Sequence, residues 1–104
     1  MPPEQTGHQR IDQRSLALHR AIAAKLRAEP ALLQVALDNL DRWHPDGGST
    51  RAYFDEWRQI LRQPLDVVLN TIVDEGERMT ALRQSTPFSD ILDPKERWAI
   101  YRQF

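Results

Sequence analysis

Gln84-Ser85-Thr86-Pro87-Phe88-Ser89-Asp90-Ile91-Leu92-Asp93-Pro94-Lys95-Glu96-Arg97-Trp98-Ala99-Ile100-Tyr101-Arg102-Gln103-Phe104 carries the clearest local signal in the sequence. Asp93, Pro94 and Glu96 have the spacing of an N-cap, a first-turn proline and a reciprocal capping carboxylate, so a helix starts here. Behind that start Trp98, Tyr101 and Phe104 recur every three residues, which makes one apolar stripe on a short helix. Ahead of it, Phe88, Ile91 and Leu92 put apolar bulk into a stretch that otherwise reads as loop. So much apolar surface needs a cover. The segment either closes the protein's own core or is offered to a partner.

The rest of the chain reads as helices separated by prolines and one glycine-rich break. Residues 1–13 are polar and read as a flexible tail, with a single helical domain over 14–104. A first helix is expected from about Arg14 to Ala28, capped by Ser15, with Leu18, Ile22 and Leu26 on one face and Arg20, Lys25 and Arg27 outside it. Glu29-Pro30 stops it, because a residue before proline avoids the helical region. Pro30 then opens a second helix that reaches Trp43. His44-Pro45-Asp46-Gly47-Gly48-Ser49 is the strongest breaker and is taken as the main loop. A third helix, capped by Ser49 or Thr50, buries Tyr53, Phe54, Trp57, Ile60 and Leu61. Pro64 ends it and starts a fourth, through Ile72. Asp74 with Glu77 repeats the capping pattern and opens a fifth, which buries Met79 and Leu82. The expectation is all-α: a compact bundle of five or six short helices with proline-marked turns.

Composition narrows the class. At 104 residues, 40% hydrophobic and 28% charged, the chain has the make-up of one globular domain. Without cysteine it has no disulfide scaffold, thiolate metal site or cysteine nucleophile. No apolar run approaches the ~20 residues a membrane helix needs, and residues 1–7 have no signal-peptide core. A cytoplasmic protein with no membrane partner is expected. The net charge of −1 argues against bulk phosphate binding. Residues 1–30 carry five Arg/Lys against three Asp/Glu, and residues 64–104 carry five against seven.

No residue pattern spells a catalytic site. His8, His19 and His44 lack metal-ligand spacing. Ser15 and His19 lie one helical turn apart, but a straight helix supplies neither the orienting acid nor the oxyanion hole a serine nucleophile needs. Gly47-Gly48 lacks the strand and the Lys-Ser/Thr of a phosphate loop. No cofactor or metal is expected, and no enzyme. Residues 65–85 have the length of a helix-turn-helix around Gly76, with Arg78, Arg83 and Gln84 as its nucleic-acid contacts. Asp74, Glu75 and Glu77 at the start of its second helix would repel phosphate, so nucleic acid is not the favoured partner.

The blocks Arg14-Ser15-Leu16-Ala17-Leu18-His19-Arg20-Ala21-Ile22-Ala23-Ala24-Lys25-Leu26-Arg27 and Leu82-Arg83-Gln84-Ser85-Thr86-Pro87-Phe88, with Arg97-Trp98-Ala99-Ile100-Tyr101, resemble small helical bacterial antitoxin-like proteins encoded beside a toxin-like enzyme. That resemblance implies a protein partner, itself toxin-like, and a mechanism of neutralisation. It contains no active-site motif. Elimination leads the same way, and tyrosine, tryptophan and arginine are the types enriched at binding hot spots. The expected function is a protein-binding module that neutralises or scaffolds a partner by occluding its active site. Its contact residues are Arg83, Phe88, Arg97, Trp98, Tyr101 and Arg102. The alternative is a DNA-binding transcriptional regulator using residues 65–85. Homo-oligomerisation is left open.

Overall fold

A computed structural model of the protein describes residues 7–43 and 49–104. Among the described residues the chain is all-α, with six helices and no strand. Of the predicted loop from His44 to Ser49, residues 44–48 lie outside them, as do residues 1–6, and Ser49 is already helical.

The helices follow the proline punctuation. Helix α1 (Gly7–Ala28), the longest at 22 residues, rises for roughly 33 Å. It starts seven residues before the predicted Arg14, so residues 7–13 are helix and not tail, and Ser15 lies inside the helix and not at its cap. Glu29 takes φ −134° and ψ 77°, outside the helical region that a residue before proline avoids. One 3-10 turn (Pro30–Leu32) leads into α2 (Leu33–Arg42). Then come α3 (Ser49–Leu61), α4 (Leu65–Thr71) and α5 (Glu77–Leu82). A second 3-10 turn (Arg83–Ser85) and an irregular stretch precede α6 (Pro94–Tyr101).

The predicted capping box on α5 is absent. Asp74 Oδ1 instead accepts from Gly76 N at 2.6 Å, a local Asx-type turn that competes with the cap. Gly76 is the helix's N-cap and has no side chain to offer. A Cβ there would sit 2.9 Å from Asp74 Oδ1, so a larger residue would push the Asp74 side chain out of this turn.

Helix α1 is the spine. It packs against α4, α6 and both 3-10 turns, while α3 packs against α2, α4 and the second turn. The core between them includes Leu26, Leu40, Trp57, Val68, Ile72, Leu82 and Phe88, and every one of these is fully buried. Trp57 donates its indole N–H to the Leu82 carbonyl at 3.1 Å. Its ring meets Phe88 edge-on at 5.6 Å, and Phe88 in turn meets His19 edge-on at 6.1 Å. Phe88 therefore joins α3 to α1. Ile91 and Leu92 are buried beside it in the same core.

Buried polar groups lock the same region. Asn39 on α2 is fully buried, and its Nδ2 donates to the Pro87 carbonyl at 3.0 Å and to Asp90 Oδ2 at 3.2 Å. Its Oδ1 accepts from Arg42. Arg58 Nη2 donates to the Leu40 carbonyl at 2.9 Å, one of the carbonyls that a helix end leaves without an internal partner.

Candidate functional site

Helix α6 is held rigidly at its start. Asp93 Oδ1 accepts from Glu96 N at 2.8 Å, and Glu96 Oε1 accepts from Asp93 N at 2.9 Å, the reciprocal box the sequence predicts. Glu96 Oε1 also accepts from Lys25 Nζ on α1 at 2.7 Å. The Glu96 N–H holds the Asp93 carboxyl below its usual range, and the Lys25 ammonium does the same for Glu96. Local sequence thus starts the helix, and a contact across 71 residues anchors it.

The two faces of α6 differ. On the outer face Trp98 is 62% exposed, and a shallow groove runs beside it along Pro94, Lys95 and Arg102. Lys95, Trp98 and Arg102 are spaced three and four residues apart, which sets them in one row on a helix. Trp98 stands edge-on to Tyr101 at 6.1 Å, and the Arg14 guanidinium lies 4.9 Å from the Tyr101 ring centre. This stack supports the tryptophan from behind. Phe104, 39% exposed, follows the helix.

The inner face of α6 lines a cleft of about 230 Å³ against α1 and the segment from Arg83 to Leu92. Leu18, Ile22, Phe88 and Leu92 give it apolar walls, and Arg14, Arg83 and Arg97 are the basic residues of its lining. His19 is at its base, 2% exposed. The Ser15 carbonyl lies 2.7 Å from Nδ1 and accepts from it. Nε2 must then be the unprotonated nitrogen, which accepts from Thr86 Oγ1 at 2.8 Å. Burial lowers the His19 pKa to about 4, with the Ser15 carbonyl opposing and the Arg83 charge assisting. The ring is neutral, both nitrogens are engaged, and its contact with Ser15 is to the backbone and not the hydroxyl. It works as a cross-link between α1 and the Arg83–Leu92 segment.

The sequence-predicted contact residues divide accordingly. Trp98 and Arg102 lie outward. Arg97 and Tyr101 are half-buried and line the cleft. Phe88 is a core residue with no exposed surface, which removes it from any contact set. Arg83 is 4% exposed; Nη1 donates to the carbonyls of Ile72 (3.1 Å) and Asp74 (2.7 Å), and Nη2 to Thr80 Oγ1 at 3.3 Å. Burial pulls its pKa below the ordinary arginine value, against the pull of Asp74, Asp12 and Glu75. It is a structural strut and not a surface contact for protein or nucleic acid. Arg78 makes a forked pair with Glu56, at 2.6 and 2.8 Å, and lies 5.3 Å from the Tyr53 ring centre. Gln84 donates to Asp12 Oδ1 at 3.3 Å.

Sequence reading passed over Lys95, Arg14 as a cleft residue, and Ser89, which also lines the cleft. Lys95 was legible, being three residues before Trp98 in a helix already recognised. Arg14 and Ser89 were not, because α1 and the Arg83–Leu92 segment share a cleft only in the folded chain. Among the described residues no group of three or more His, Asp or Glu side chains is placed to hold a metal, and no helix is long and apolar enough to cross a membrane. Comparison with protein-family models, with curated proteins and with solved structures gives no match.

Proposed function

We propose that the protein is a helical interaction module that holds a partner protein on the outer face of α6. The observation that carries this reading is the 62% exposure of Trp98 on a helix fixed at its N-terminus by a capping box and an ion pair. An exposed tryptophan on mobile chain loses entropy on binding, whereas one on a pre-set helix loses little. Trp and Arg anchors on a rigid element are the usual energetic centre of an interface. Lys95 and Arg102 on either side of Trp98 suit a partner whose rim is acidic and whose centre has an apolar pocket for the indole. Function follows as occlusion: the row Lys95, Trp98 and Arg102 covers the partner's cleft in a stoichiometric, antitoxin-like complex.

The DNA-binding alternative lacks such support. A groove-entering helix needs cations aimed at phosphates and base edges, but Arg78 is engaged by Glu56, Arg83 is buried, and Gln84 is bonded to Asp12.

The test is co-purification of the tagged full chain from its native cells beside the double variant Trp98→Ala/Arg102→Ala. Both side chains are exposed, so the variant should keep its helicity and melting behaviour and lose the partner. Equal retention of the same partner by both forms would refute the reading.

A further inference from the structure

The cleft on the inner face of α6 is charged in a way that packing alone does not require. Its lining contains Arg14, Arg83 and Arg97 and no Asp or Glu. Among the described residues no carboxylate lies within ion-pair distance of Arg14 or Arg97; the contact of Arg14 is the Tyr101 ring. Arg83, 96% buried by its 4% exposure, leaves its Nε with no hydrogen-bond partner. A buried guanidinium N–H without an acceptor costs free energy. Walls of one charge sign around low-dielectric side chains also concentrate the field on the space between them. Acids do lie near Arg83, namely Asp12, Asp74 and Glu75, but none of the three lines the cleft.

We propose that this cleft binds a small free carboxylic acid with an apolar body, its carboxylate held by Arg14 and Arg97 and its body against Leu18, Ile22 and Leu92. Guanidinium forks match the two oxygens of a carboxylate better than they match a compact point charge. The space, about 230 Å³, falls below the ~300–1,000 Å³ of drug-sized sites, so the ligand is of the order of one ring or a short branched chain. Ser15 and Ser89 add hydroxyls to the lining. The site uses the inner face of α6, so it stands or falls separately from the partner reading, which uses the outer face.

The test is a two-dimensional NMR titration of the full chain with three probes: benzoate, inorganic phosphate and N-acetylglutamate methylamide. Benzoate should shift the signals of Ser89, Arg97 and Tyr101 along saturating curves and bind more tightly than phosphate, which has no apolar body. Arg14→Gln and Arg97→Gln should each weaken benzoate about tenfold, the loss expected for one charge-assisted contact. Should the Gln variants unfold, Arg97→Lys, which keeps the charge and loses the fork, should still bind benzoate several-fold more weakly. The proposal is overturned by benzoate shifts that remain linear to about 10 mM, by phosphate binding as tightly as benzoate, or by unchanged affinity in the variants. Tighter binding of the glutamate probe than of benzoate would also overturn it, because the cleft would then suit an acidic side chain of a docked protein.

Discussion

Replacing Phe88 by alanine separates the two roles of the terminal segment. The side chain is fully buried and meets the rings of Trp57 and His19 edge-on at 5.6 and 6.1 Å. Truncating a buried phenylalanine costs ~3–5 kcal/mol from lost burial and the cavity left behind, and the two edge-to-face contacts, ~0.5–1.5 kcal/mol each, favour the upper part of that range. A domain of this size has only ~5–15 kcal/mol to lose. Urea unfolding followed by far-UV circular dichroism should show the midpoint fall by ~2 M, at ordinary slopes for small domains. Trp98→Ala, ten positions along the same segment, should move stability by less than ~0.5 kcal/mol, because the ring is mostly in water. If Phe88→Ala costs under ~1 kcal/mol, or if the two variants cost the same, the segment does not close the core and the assignment of inner and outer faces is wrong.

Three further outcomes follow from single contacts. The folded pKa of His19, about 4, lies below the ordinary 6.5, so its contribution is intact above pH 6.5 and is lost as pH falls toward 4. Stability should drop by ~3 kcal/mol across that window, and His19→Gln should flatten the drop in a pH series of urea melts. Asn39→Ala leaves the Pro87 carbonyl and Asp90 without their donor and should cost ~1–3 kcal/mol by the same melts. Asp93→Ala removes the acceptor for Glu96 N, which should speed hydrogen exchange of the first-turn amides of α6 while leaving those of α3 unchanged.

What was legible in the sequence was what neighbouring residues decide. Asp93, Pro94 and Glu96 satisfy the first turn of α6 among themselves, and Pro30 and Pro64 break helices through local sterics, so spacing alone located them. Where a tertiary contact competes, spacing misled. Residues 7–13 look too polar to fold, yet Asp12 accepts from Gln84, and Arg14 in the following turn lies over Tyr101. Asp74 has capping spacing to Glu77, but its oxygen is taken by Gly76 N two residues on. Phe88 and Trp98 were indistinguishable as aromatics of one segment, since only the packing of α1 and α3 onto that segment decides which is enclosed. Arg83, His19 and Asn39 are buried because carbonyls or hydroxyls on other segments receive them. Those partners are backbone or hydroxyl groups with no distinctive signature in sequence, and the cleft they help to build was hidden for the same reason.

Photo-crosslinking in native cells reads out whether a partner protein sits on the outer face of α6. A benzophenone amino acid at position 98 should give one dominant adduct with a different protein. The same group at Asn70, exposed on α4, should give none of it. No adduct above the Asn70 background, or an adduct only with a second copy of this chain, would contradict the account.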